Sequence, residues 1–460
     1  MKSNDNVRWS SRFAFLMAAV GSAVGLANIW RFPYTAGVSG GSAFVLVYLG
    51  AVVLLALPLV IAELTLGRRG KGAPPTAIRN VARESGLSPN WGWMGVILGG
   101  FGGMLALSFY SVVGGWTMAY ALEVARGSLQ GVSIEGAQQV FAALNGDPWT
   151  LLAWFSAFIG ATVFISARGV NAGVERAVKL MMPALFLLLM MMVAYAVRVG
   201  DFARAVDFLF TPDFSKLDTG IVLAAFGQAF FSVSVGLTAL VAYGAYIRRS
   251  TSIPQSALII VSVDTLIAVL AGLAIFPIIF AFGLEADAGP GLVFITLPFV
   301  FGDIPGGQLF GTIFFVLLLF AALTSSIGMI EAPVAWLAER TPLGRTGAAL
   351  LAGAISWSLG VLAVLSQNRL ADYYPLNDID LFAGKTFFDL FDFLVINIMM
   401  PLGGILIAIF TGWLVHRRFT EDELYGGRPT VWYAAWRFLL RYVAPLILLG
   451  VFINMLIGTG

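Results

Sequence analysis

The chain has 460 residues, of which 59% are hydrophobic and 11% charged, with a net charge of +2 and a mean hydropathy of +0.89. That lies far outside the half-apolar, quarter-charged average of soluble domains and describes a polytopic membrane protein. The small net charge offers no basic surface for nucleic acid. With no cysteine and a single histidine, His416, disulfides, thiolate nucleophiles and Cys or multi-His metal centres are excluded.

Runs of largely apolar residues, each about as long as a helix needs to cross a bilayer, recur along the whole chain. They fall near 13–36, 42–66, 93–124, 150–167, 172–199, 220–247, 253–283, 308–338, 346–366, 386–414 and 432–457. The leading MKSNDNVRWSSRF shows no cleavable signal pattern, so the first run is expected to be retained as a helix. Eleven spans put the termini on opposite sides. With the N-terminus inside, 20 of the 27 Lys and Arg residues fall in inner segments and six in outer ones, with Arg31 near the outer end of span one. The positive-inside rule then makes the N-terminus cytoplasmic and the C-terminus extracytoplasmic. No hydrophilic stretch is long enough for a separate domain, so residues 1–460 are expected to form one membrane domain. Of the outer connections, 284–307 mixes Gly and Pro with an apolar middle and is expected either as a re-entrant lid or as a simple loop.

Span one, FAFLMAAVGSAVGLANIWRFPYTA, carries Gly21, Gly25 and Asn28 in its middle, followed by Arg31 and Pro33. In hydrocarbon every freed backbone group must find a partner, so a broken helix at that depth survives only where protein buries it or a wet cavity adjoins it. A Gly-rich packing face is the alternative, but packing alone has no use for Asn28 and Arg31. Span six, AAFGQAFFSVSVGLTALVAYGAY at 224–246, repeats the anomaly with Gly227, Gln228, Ser232, Ser234 and Gly236. Two interrupted spans at matching places of two five-helix halves point to an inverted-repeat transporter with its site at the midplane. Span seven holds Asp264 in VSVDTLIAVLAG, where an ionised carboxylate is disfavoured by at least ~2.5 kcal/mol and must be compensated. Sodium is a hard cation best held by oxygen ligands of the kind these breaks and hydroxyls supply, although Ser and Thr in apolar helices often bond only the carbonyl four residues back.

GSAVGLANIWRFPY at 21–34, GQAFFSVSVG at 227–236 and LTSSIG at 323–328 resemble signature segments of the neurotransmitter:sodium symporter family, its bacterial amino-acid carriers above all. The likeness covers essentially the whole chain. It implies an all-α membrane fold of eleven helices: two inverted five-helix repeats, 13–199 and 220–414, with helices 1 and 6 discontinuous, and one extra C-terminal helix, 432–457. It also implies two sodium ions. The first would meet the Ala23 carbonyl, the Asn28 and Ser232 side chains, Asp264 and the substrate carboxylate. The second would meet carbonyls of Gly21, Val24 and Ala321 with the hydroxyls of Thr324 and Ser325. Many relatives have Asn where Asp264 stands, some with chloride supplying the negative charge, so the resemblance implies transport without chloride.

Monoamine carriers of the family place Asp at the position of Gly25, which implies here a ligand that brings its own carboxylate. Backbone N–H groups around Leu26 and Ala27 and the Tyr110 hydroxyl would hold it, and carbonyls near Ala23, Phe231 and Ser232 would meet the ammonium. Ala27 stands where relatives usually have Gly. The side-chain pocket would comprise Ala106, Tyr110, Phe231, Ser234, Leu237, Ser325 and Met329, suited to large aliphatic or aromatic amino acids such as leucine, phenylalanine, tyrosine or tryptophan. Arg31 and Asp392 resemble the outer gate pair, with Phe231 and Tyr110 as its lid. Trp9 and Glu339 match the inner gate, but Asn6 replaces its usual arginine, leaving Arg8 as a substitute. Gly173 and Pro183 match a helix-five pattern associated with unwinding toward the second sodium, a simple kink being the alternative.

Rival readings fare poorly. Gly-Val-Ser-Gly at 37–40 has the rhomboid protease pattern, but Ser39 is expected at the outer surface and His416 at the inner one. AGKT at 383–386 lacks the preceding glycine of a phosphate loop. A channel would show repeated pore loops or charged rings. The chain is therefore expected to be no enzyme but a cell-membrane symporter of hydrophobic L-amino acids, partnered by the bilayer and its substrate, a monomer or weak homodimer. A carrier of another carboxylate-bearing amine, an ion channel or a non-transporting sensor is the alternative.

Overall fold

The computed structural model describes residues 8–284 and 290–457, and among these all regular structure is helical. The long elements are α1 (Arg12–Ala23), α2 (Ala27–Val38), α3 (Ser42–Gly70), α4 (Pro89–Ala125), α5 (Pro148–Ala167) and α6 (Val170–Val199). They continue with α7 (Thr219–Ser232), α8 (Ala239–Gly244), α9 (Ile253–Ala281), α10 (Gly307–Arg340), α11 (Gly344–Leu365), α12 (Phe387–Leu414) and α13 (Val431–Leu456). Nine of these are long and apolar enough to cross a bilayer, and a tenth span arises if α1 and α2 count as one helix bent by 54°.

The first break follows from local chemistry. Ser11 caps α1 by accepting the Ala14 N–H at 3.1 Å, and the helix runs until Val24 turns extended with φ −66° and ψ 113°. The chain re-enters helix through a widened turn, Ala27–Arg31, which runs directly into the segment Phe32–Val38 that carries Pro33. The second break is more contorted. Asp218 caps α7, and beyond Ser232 the backbone passes through positive φ at Ser234 (52°), Gly236 (100°) and Thr238 (56°). Non-glycine residues in that region persist only where their surroundings hold them. Glu63, buried in α3, supplies one such hold by accepting the Gly236 N–H at 2.7 Å. A Cβ at Gly236 would run into the Met400 carbonyl of α12, so both φ and space demand glycine here.

Around the breaks, α4 and α10 cross closely. A Cβ on Gly103 would lie 2.6 Å from the Met329 carbonyl, the small-residue packing by which membrane helices approach. The segment at 284–307, expected as a re-entrant lid or a simple loop, carries a helix in its described part. Residues 285–289 lie outside the described residues. From Pro290 the chain forms a short turn and the helix Thr296–Asp303, with Leu292, Val293, Phe294, Leu297 and Phe301 buried. Phe294 stands edge-on to Trp30, Trp116 and Tyr120 at 5.4–6.0 Å, which pins this segment against α2 and α4.

Gly236→Ala is expected to destabilise the protein by about 1–3 kcal/mol, the usual cost of a forced left-handed conformation. A fall of several degrees in the unfolding midpoint of the detergent-solubilised protein checks it.

Candidate transport site

The two breaks face one another beside a cavity of about 400 Å³. Of the residues expected from sequence to meet a substrate, Ala23, Gly25, Leu26, Ala27, Ala106, Tyr110, Phe231, Ser234, Leu237, Ser325 and Met329 all line it. Ser232 does not; it turns away toward Asp264. The Leu26 N–H donates to the Tyr110 hydroxyl oxygen at 3.4 Å at the head of the break, which leaves the Tyr110 O–H proton itself free to donate. A Cβ on Gly25 would stand 3.0 Å from Ser325 Oγ and 3.1 Å from the Tyr110 oxygen, leaving no room for a side chain there.

Behind this wall lies a polar cluster from three elements. Asn28 of α2 donates from Nδ2 to Ser232 Oγ at 2.8 Å, to Asp264 Oδ1 at 2.8 Å and to the Asp264 carbonyl at 3.2 Å. Ser232 of α7 donates to Asp264 Oδ2 at 2.5 Å. Asn28 Oδ1 accepts the Gly25 N–H at 3.0 Å, tying the cluster to the first break. All three side chains are fully buried, so the intramembrane carboxylate of Asp264 is compensated by charge-assisted hydrogen bonds on both oxygens.

The residues expected at a second ion converge where α1 ends against α10. A Cβ on Gly21 would lie 3.1 Å from Thr324 Cβ, and Ser325 Oγ reaches the Ser22 carbonyl at 3.4 Å. Val24 N–H caps α1 on Val20 O at 2.7 Å. Thr324 donates back to Phe320 O and Ala321 O at 2.9 and 3.1 Å, the ordinary habit of a helical threonine, which leaves its lone pairs free to accept. Met182 packs on Gly21 from α6, next to Pro183, which sits inside an otherwise continuous helix. Gly173 belongs to the widened turn Val170–Glu175 at the start of α6, where a Cβ would strike the Ile165 carbonyl.

Arg31 and Asp392 both line the cavity, with the Arg31 guanidinium 4.3 Å above the Phe231 ring. Among the described residues they form no ion pair within 4.0 Å, so the expected outer pair shares a mouth without joining. At the opposite end Trp9 is buried and donates from Nε1 to Tyr243 O at 3.1 Å, its ring edge-on to Tyr243 and Tyr246.

Glu339 does not join Trp9. Its carboxylate accepts the Ala73 N–H at 2.6 Å and the Thr76 hydroxyl at 2.5 Å, capping the helix Pro74–Glu84, because α10 ends beside that helix. Asn6 lies outside the described residues. Arg8 contributes its carbonyl, which accepts from Asn171 at 3.0 Å. The segment is held instead by Glu175, which sequence reasoning missed. It accepts the Ser10 N–H at 3.2 Å and the Ser10 hydroxyl, and pairs with Lys179 at 2.6 Å. Two further acids were missed, Glu63 and the fully buried Glu331, which pairs with Arg345 at 2.6 Å. Their signal was present, a lone acid within an apolar span. Asn397, a lone amide in an apolar span, was missed too; it lies in the widened turn Leu394–Met399 and reaches the cavity beside Asp392 and Met400.

A site built on paired helix breaks around an oxygen-rich cluster defines a secondary transporter. The model of the sodium:neurotransmitter symporter family matches residues 6–133 and 144–459, and the chain belongs to that family. It is 38% identical to the sodium-dependent transporter YhdH of Bacillus subtilis over 99% of both chains. It is 24% identical to the bovine sodium-dependent dopamine transporter over 98% of this chain and 69% of that one. Among solved structures it is similar to MhsT in complex with L-phenylalanine, with a TM-score of 0.86 and 38% identity over 98% of this chain and all of that one. The protein is thus a sodium-dependent, multi-pass membrane transporter.

Glu175→Ala is expected to speed hydrogen exchange at residues 9–14 about tenfold or more, since a hydrogen bond to a charged group contributes about 1.5–3 kcal/mol. Glu339→Ala is expected to leave those amides unchanged.

Proposed function

We propose that this transporter imports hydrophobic L-amino acids, large aliphatic or aromatic, together with two sodium ions and without chloride. The observation that carries the reading is the apolar wall of the cavity set against the donors at Leu26 and Tyr110, with no anionic side chain at Gly25. A ligand placed there must bring its own carboxylate. The relation to MhsT, solved with L-phenylalanine, supports the same class of cargo.

In this reading the Leu26 N–H and the Tyr110 hydroxyl hold the carboxylate, while carbonyls near Ala23, Phe231 and Ser232 take the ammonium. Ala106, Ser234, Leu237 and Met329 receive the side chain, the flexible thioether of Met329 adapting to its shape. The first sodium is held by the Ala23 carbonyl, Asn28, Ser232, Asp264 and the substrate carboxylate. To offer an oxygen, the Asn28 amide must turn Oδ1 inward, which releases the Gly25 N–H it now binds. Ion binding and the shape of the substrate site are coupled through that one bond. The second sodium takes carbonyls of Gly21, Val24 and Ala321 with Thr324 and Ser325. The carboxylate of Asp264 supplies the fixed negative charge that would otherwise call for an anion.

Counting each broken segment once gives eleven spans, arranged as two inverted repeats and a final helix, with the N-terminus cytoplasmic. Arg31 and Asp392 close the outer mouth over substrate with Phe231 and Tyr110 as its lid. The inner side opens when Trp9 leaves Tyr243 and α6 loosens at Gly173 and Pro183, where glycine and proline make opening cheap.

Scintillation-proximity competition with all twenty amino acids, in sodium and in potassium, tests the cargo; hydrophobic residues are expected to compete only in sodium. Asn28→Ala and Ser232→Ala are expected to weaken sodium and substrate binding together, and in the parent the factor by which sodium raises substrate affinity is expected to equal that by which substrate raises sodium affinity. Substrate binding indifferent to sodium would refute the shared shell. Uptake is expected to be equal in chloride and gluconate, and a collapse in gluconate would overturn the role given to Asp264.

A further inference from the structure

At the junction of α12 and α13, far from the cavity, one charged side chain is left without a protein partner. Both helices widen there into π turns, Phe410–Leu414 and Leu439–Val443, and the two clasp one another. Trp413 donates from Nε1 to the Arg441 carbonyl at 2.9 Å, and the Arg441 guanidinium lies 4.6 Å above the Trp413 ring. Gly412 makes room: a Cβ there would sit 3.0 Å from Arg441 Cγ. Arg441 has no carboxylate within 4.0 Å among the described residues, and its buried Nε has no acceptor. The residue as a whole is half-buried.

Neighbouring cations are already engaged. Arg437 donates to Thr420, Tyr433 and the Val415 carbonyl, and Arg417 pairs with Glu421. Around Arg441 the surface is aromatic and outward-facing: Trp413 is 46% exposed, Tyr442 44% and Phe438 57%, with Trp413 and Tyr442 edge to face at 5.2 Å. Such rings belong to a membrane interface. Arg441 lies ten residues into α13, about 15 Å from its start, and helical side chains lean toward the helix N-terminus. The guanidinium is therefore directed back toward the leaflet surface at which α12 ends and α13 begins.

We propose that Arg441, Trp413 and Tyr442 form a binding site for the phosphate of an anionic phospholipid in that leaflet. The planar fork of arginine matches a phosphate in bidentate fashion, and stacking on Trp413 pre-orients it. The acyl chains lie along the exposed apolar face of α13. The lipid neutralises a guanidinium that, unlike the exposed Arg418 of the same junction, is half-buried against an aromatic ring and has no carboxylate beside it among the described residues. The site is independent of the transported substrate.

Native mass spectrometry of the purified full-length protein with phosphatidylglycerol or phosphatidylcholine added, and no amino acid present, tests it. Retention of phosphatidylglycerol over phosphatidylcholine is expected, falling about tenfold or more in Arg441→Gln and roughly threefold in Trp413→Phe, which keeps a ring but loses the indole N–H and the stronger cation–π face. The exposed Arg418→Gln is expected to behave as the parent, and inorganic phosphate is expected not to displace the lipid. Equal retention of both lipids overturns the proposal, as does displacement by free phosphate or unchanged retention in Arg441→Gln. Should Arg441→Gln not be purifiable, unchanged retention in Trp413→Phe overturns it.

Discussion

Peptide groups released from a helix inside a membrane have no water to turn to, and the architecture follows from how they are satisfied. At the second break Glu63 accepts the Gly236 N–H, and at the first the Asn28 carboxamide accepts that of Gly25. Each break is thus held by a side chain that is itself buried, so neither can straighten or move without disturbing a polar cluster. Where α7 ends, Ser232 belongs at once to the helix terminus and to the Asp264 cluster. Backbone satisfaction and the oxygen-rich site are one arrangement.

Buried acids are distributed along the same logic. Asp264 stands at mid-membrane with hydrogen bonds on both oxygens, while Glu331 pairs with Arg345 and Glu175 with Lys179. Breaking such a pair would strand a charge, so these contacts persist until a partner is supplied from elsewhere. Glu175 is the interesting case, because it binds the N-terminal segment directly through Ser10 and thereby secures the aromatic seal of Trp9 against Tyr243. Trp9 is thus fixed at one end, while Arg31 and Asp392 stand apart at the cavity's other end.

Much of this was legible in the residues. Apolar run lengths placed the spans, and the cluster of Gly, Asn, Arg and Pro in span one, echoed by Gly, Gln and Ser in span six, placed both breaks. The residues named for the pocket, Ser232 excepted, line one cavity because they sit on those breaks or on the helices facing them. Glu339 went elsewhere because a carboxylate at a helix end takes the nearest unsatisfied N–H, and the helix Pro74–Glu84 presents Ala73.

Composition and pattern alone therefore determined that the chain is a multi-pass membrane protein with many apolar helices, and where helix could not continue, since each depends on local chemistry within a few residues. Tertiary structure decided which distant side chains answer the freed backbone and charged groups: Glu63 for Gly236, Glu175 for Ser10, Trp413 for the Arg441 carbonyl. Those partners lie tens to hundreds of residues away, and only the crossing angles and widened turns of the packed helices bring them within hydrogen-bond reach.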